Sequence, residues 1–146
     1  MLPSSSVLLA FAMLLIVQPI TAQNPNDYLV GIWEPADKEK RVVVEVFESS
    51  DGKINGKIIG AYDARGNYMA APESKAPMLI DGFRYTHKGT WKNGRITDPE
   101  DGKDYCGRIT MLAQDKLEVR AYSGILWKDM EWVKVTSSAS AFASVK

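Results

Sequence analysis

"RVVVEVFESSDGKINGKIIGAY", residues 41–62, is the stretch whose reading decides the fold. In its first half Val42, Val44 and Val46 fall on one face of an extended chain, with Arg41, Glu45 and Phe47 on the other. That period of two marks a half-buried strand. "SSDG" then turns the chain, since Asp tolerates turn conformations and Gly supplies positive φ. The second half alternates again, with Ile54, Gly56, Ile58 and Gly60 facing one way. Two alternating runs joined by a Gly-containing turn make a hairpin. Glycine weakens a strand interior unless the strand bends there, so Gly56 and Gly60 predict the strong curvature of a closed sheet.

The pattern repeats outward from this hairpin. "GIWEP", residues 31–35, is a short strand carrying Trp33. "DYCGRITML" sets Tyr105, Gly107, Ile109 and Met111 on one face. "KLEVRAY" sets Leu117, Val119 and Ala121 against Lys116, Glu118, Arg120 and Tyr122, and "MEWVKV" closes the series. "MLIDGFRYTHKGT" reads as a short strand or turn before Trp91, and residues 63–77, rich in Ala, Pro and Gly, as a long loop. Loops of that length within a compact domain are usually functional covers or mobile segments. No segment sustains helical periodicity. The expected fold is all-β: a single small antiparallel up-and-down β-barrel of about eight strands over residues 23–136, followed by a flexible tail, 137–146. A barrel of this size either fills with side chains or holds one small ligand.

Composition narrows the partners. The chain has 146 residues, 45% of them hydrophobic and 25% charged, and Lys plus Arg equals Asp plus Glu at 18 each. With no long run of one sign, the sequence argues against nucleic acid as a partner, because phosphate binding rests on grouped Lys and Arg. The first charged side chain is Asp27, behind an apolar run from Val7 to Val17 and the small residues of "ITA". The run falls well short of the ~20 residues that span a bilayer. It reads as a secretory signal peptide, residues 1–22, implying a periplasmic or secreted protein with no membrane span after cleavage. Cys106 is the single cysteine, so no internal disulfide forms, and it reads as a half-buried apolar strand residue.

"GRITDPEDGKDY", residues 94–105, places Asp98, Glu100, Asp101 and Asp104 close together. A calcium loop needs oxygen ligands at alternate positions, a central Gly and a Glu at the twelfth place, which this order does not supply. Acid–base catalysis needs two carboxyl groups held apart in a cleft, one with a raised pKa. A turn explains every residue: Asp98 accepts backbone hydrogen bonds, Pro99 sets φ, and Gly102 takes the left-handed position. His87 is the single histidine and lies near a turn. No nucleophile and base pair, phosphate-binding Gly loop or zinc motif occurs, so no catalytic residue, metal or cofactor is expected. Four tryptophans and six tyrosines remain, most of them needed as core. From these, Trp33, Tyr105 and Trp132 are the candidate aromatic walls of a ligand site. Arg120 is its candidate charged anchor, on the condition that its side chain turns inward.

Taken together, "GIW", "DGKINGKI", "WKNGRITDPEDGKDYCGRITM", "LEVRAYSG" and the closing Trp132 resemble the bacterial secreted proteins grouped as domain-of-unknown-function family 2147, over about Tyr28 to Val135. The resemblance implies a signal peptide followed by a small barrel similar to the lipocalin and avidin group, with no established activity and no catalytic residue to carry over. The chain departs from the pattern in lacking a cysteine pair in the 63–77 loop, and in carrying Trp127-Lys128 where a Gly-Arg pair is usual. The expectation is an exported, non-enzymatic barrel binding a small apolar or amphipathic molecule or an envelope component. The alternatives are a protein-interaction or inhibitor module whose barrel is filled and whose loops, especially 63–77, meet a protein partner, and a cofactor-free enzyme.

Overall fold

Alternating β-branched and aromatic residues build nine strands in a computed structural model that describes residues 16–18, 22–37, 39 and 41–135. All but four residues of the expected leader, and the whole of the expected tail, lie outside the described residues. The strands are β1 (Gly31–Pro35), β2 (Val42–Glu48), β3 (Ile54–Tyr62), β4 (Tyr68–Ala70), β5 (Met78–His87), β6 (Thr90–Thr97), β7 (Asp104–Ala113), β8 (Lys116–Ser123) and β9 (Leu126–Lys134). β1, β2, β3, β5, β6, β7, β8 and β9 pair in that order, all antiparallel, and β9 returns to β1 through Trp33 opposite Lys134. The result is a closed eight-stranded barrel, as the alternation predicts. Closure leaves no open sheet edge in the ring. β4 lies outside it, paired with the end of β3.

Two local breaks in alternation depart from the sequence reading. "MLIDGFRYTH" is a full ten-residue strand, not a short entry to a turn. It escapes a period-two search because Gly82, at φ 77°, inserts an irregularity that brings Ile80 and Phe83, three positions apart, into the same core. On β3 the register shifts where Val43 and Val44 meet Gly60 and Ile58. Gly60 therefore leaves the face it was expected to share with Gly56. A Cβ there would meet the Tyr68 ring of β4 at 2.5 Å, so Gly60 makes room for an outer strand, not for the interior.

The two ends of the barrel differ. At one end, large side chains fill the lumen: Trp33, Ile54, Phe83, Trp91, Ile109, Leu117 and Val119 are all buried. A 3-10 turn, Pro25–Tyr28, forms the floor. Its buried Asn26 donates from Nδ2 to the Gly52 carbonyl (3.0 Å) and accepts from Trp91 Nε1 at Oδ1 (2.8 Å), tying the turn to β6 and to the β2–β3 connection. Trp33 Nε1 donates to the Leu29 carbonyl at 2.8 Å. Removing one partner of a buried hydrogen bond costs about 1–3 kcal/mol. Asn26→Ala strands two such groups, so it should lower unfolding free energy by about 2–3 kcal/mol on that scale, measured by urea denaturation. A change within error would show that the floor is not held this way.

Candidate functional site

At the opposite end the lumen opens into a cavity of about 520 Å³. Its wall is apolar, formed by Val42, Leu79, Ile96, Ala121, Met130 and Trp132. Strand alternation turns each inward, and all but Met130 and Trp132, which lie deeper along β9, come from the part of their strand nearest this mouth. Tyr105, opposite Ile96 at the start of β7, completes the wall. Its hydroxyl donates to Asp101 Oδ2 at 3.2 Å, and burial together with the Asp101 charge raises its pKa. Lys128 lies across from Ala121 on the inward row of β9, the one cation that this strand turns toward the mouth.

The acidic stretch 98–104 is the β6–β7 turn, and it overhangs this mouth through Asp98, Pro99 and Glu100. The Asp98 N–H donates to the Lys103 carbonyl (2.9 Å), and Gly102 donates to the Asp98 carbonyl (2.8 Å) at φ 70°. Asp98 Oδ1 accepts from the Glu100 N–H and Asp101 Oδ1 from the Lys103 N–H, both at 2.8 Å. These bonds within the turn account for the carboxylates as the turn reading does. Among the described residues no group of three or more His, Cys, Asp and Glu side chains is placed to hold a metal ion. A β-branched residue at a positive φ is strained by about 1–2 kcal/mol. Gly102→Val should therefore destabilise by roughly that amount and Glu100→Gln by less than about 0.5 kcal/mol, both read from thermal unfolding. Equal effects would contradict the turn account.

The four candidate residues separate. Tyr105 and Trp132 meet in the cavity wall. Trp33 does not reach the cavity: it is wholly buried at the floor, with Lys134 Nζ 5.5 Å from its ring centre. Arg120 stands outside the barrel. With Leu117, Val119 and Ala121 turned inward, alternation along β8 must turn Arg120 outward. There its Nη2 donates to Asp129 Oδ2 at 2.8 Å, its Nε bonds the other carboxylate oxygen, and its guanidinium lies 5.4 Å from the Trp127 ring centre. This pairing lowers the Asp129 pKa, so Arg120 is engaged on the outer face and does not anchor a ligand in the lumen. Cys106 is exposed on the same outer face, not half-buried.

Lys128, Met130, Leu79, Ile96 and Ala121 were missed as site residues. The signal for β9 lies in "LWKDMEWVK", where Lys128, Met130 and Trp132 share one face. For β8 it lies in the step from Leu117 and Val119 to Ala121, large to small along one inward row. A second hollow of about 420 Å³ lies at the same end of the barrel, lined by Glu34, Arg41, Tyr62 and Arg65 among others. Burial and a 2.7 Å hydrogen bond to Glu34 push the Tyr62 phenol up to about 12.

Residues 31–134 match the model of a family described as an uncharacterized protein conserved in bacteria, DUF2147. No curated protein matches the sequence. Among solved structures, the chain is similar to protein HP1028 from the human pathogen Helicobacter pylori, which is described as belonging to the lipocalin family. The TM-score is 0.61 at 20% identity, covering 79% of this chain and 88% of that one. At that identity the likeness concerns the fold.

Proposed function

For this chain, which belongs to the DUF2147 family of bacterial proteins, we propose a non-enzymatic role: binding one small apolar or amphipathic molecule in the open half of a lipocalin-like barrel. The observation that carries the proposal is the half-filled lumen. Large side chains pack the floor end, while about 520 Å³ at the mouth stays empty behind an apolar wall. Small-molecule pockets run from about 300 to 1,000 Å³ and combine apolar walls with a few polar groups. Here the polar groups are Tyr105, Lys128 and the acidic turn at the rim. A barrel acting only through its loops would have no use for that empty volume, which favours the ligand reading over the protein-partner alternative.

The non-enzymatic part of the proposal is supported by the lipocalin-like fold and by membership of a family described as uncharacterized. Action outside the cytoplasm, in the periplasm or beyond, rests on the leader-like residues 1–22. Among the described residues no helix is long and apolar enough to cross a membrane. The test is a titration of the purified chain with an uncharged dye whose fluorescence rises in apolar surroundings, such as N-phenylnaphthylamine. Saturable binding at one site per chain is the expected result, and a linear, non-saturating signal overturns the proposal.

A further inference from the structure

Three buried tryptophans line the lumen, and their indole N–H groups are treated differently. Trp33 donates to the Leu29 carbonyl and Trp91 to Asn26 Oδ1, both at 2.8 Å. Trp132, 1% exposed, lines the cavity, and its Nε1, itself buried behind that wall, has no acceptor. Among the described residues, only one other buried side-chain N or O atom lacks a partner, Arg108 Nε, on a row that alternation turns outward. Native interiors pair nearly all their buried polar groups, so an unpaired donor in a cavity wall calls for a cause.

Building on the cavity reading above, we infer that Trp132 Nε1 is the directional handle of the site. Its ligand is an otherwise apolar molecule that brings a hydrogen-bond-accepting oxygen, a carbonyl or ether, to the deep end. An indole N–H donates and cannot accept, so the complementary group is an acceptor. Among the cavity-lining side chains on the inward row of β9, Trp132 is the deepest, followed by Met130, Lys128 and Leu126 toward the mouth. A ligand entering from the mouth thus passes Lys128 before its leading atoms reach the indole. The half-buried Met130 is the neighbour on that row, and its unbranched thioether chain can change rotamer to admit the oxygen. Ala121 and Ile96 then flank the apolar body of the ligand. An apolar ligand without the oxygen fills the same volume but leaves the donor unpaired, which is the basis of discrimination.

The test uses the full chain labelled with nitrogen-15 and two probes of one shape, benzophenone and the isostere in which a methylene replaces the carbonyl oxygen. Four indole N–H signals are expected from the four tryptophans, and the one lost in Trp132→Phe is that of Trp132. With the wild-type chain, benzophenone should move this signal downfield and bind about tenfold more tightly than the isostere, or about 1.4 kcal/mol. In Trp132→Phe the ratio should fall to about one. Equal binding of the two probes by the wild type, or a ratio unchanged in Trp132→Phe, overturns the inference and leaves the cavity reading intact. Binding of neither probe, together with failure of the dye titration, overturns both. The wild-type ratio needs no variant, so a poorly folding Trp132→Phe would leave that arm of the test intact.

Discussion

Gly94→Val is expected to lower unfolding free energy by about 3 kcal/mol or more, at the upper end of what overpacking a core costs. A Cβ at position 94 would stand 2.2 Å from Phe83 Cδ2 and 2.5 Å from Cγ. The ring cannot retreat, because Phe83 is wholly buried. Across the β6–β7 ladder, Gly107 pairs with Gly94, and a Cβ there would meet Phe83 Cζ at 2.9 Å and Ile96 Cδ1 at 2.5 Å. One phenyl ring therefore lies against the bare backbone of two neighbouring strands. Valine would force the ring into the packed floor or push the strands apart. Urea denaturation measures the effect as a shift in midpoint at constant slope. A midpoint equal to the wild type would show that Phe83 does not occupy this place.

The second large effect concerns ligand and not stability. Ala121→Trp places an indole on the inward row of β8, opposite Lys128, in the cavity wall. The space it enters is empty, so the substitution should cost less than about 1 kcal/mol of stability, unlike overpacking a filled core. Dye affinity should fall roughly 100-fold, or about 2.7 kcal/mol, because the volume the ligand needs is gone. Full retention of affinity would mean that the dye binds elsewhere, for instance on the exposed Ile125 of the β8–β9 turn. Paired with Gly94→Val, the variant separates the two halves of the lumen: one is packed and intolerant, the other open and tolerant.

Much of this arrangement could be read before the structure was known, because a barrel strand repeats one rule. Val42, Val44 and Val46, then Tyr105, Gly107, Ile109 and Met111, and then Leu117, Val119 and Ala121 all face inward as their period of two requires. Legibility failed where one residue shifted the phase. Gly82 hid β5, and the irregularity near Val43 sent Gly60 outward. For the site, alternation alone would have placed Arg120 outside and Lys128 inside. What alternation does not encode is depth along the barrel. Trp33 and Trp132 both face inward, yet one is sealed at the floor beneath the 3-10 turn and the other lines the cavity. The floor itself depends on Asn26, whose two long-range hydrogen bonds leave no periodic trace in the sequence. The acidic turn, conspicuous as a sequence, contributes a shaped rim held by its own backbone bonds.

The central claim, that the open half of the barrel holds a small molecule, is tested most directly by native mass spectrometry of the chain extracted gently from cells, with Ala121→Trp prepared in parallel. The account predicts a discrete added mass on the wild-type chain, released on denaturation, that is absent from Ala121→Trp. A wild-type chain carrying no added mass, or the same added mass on both proteins, would contradict it.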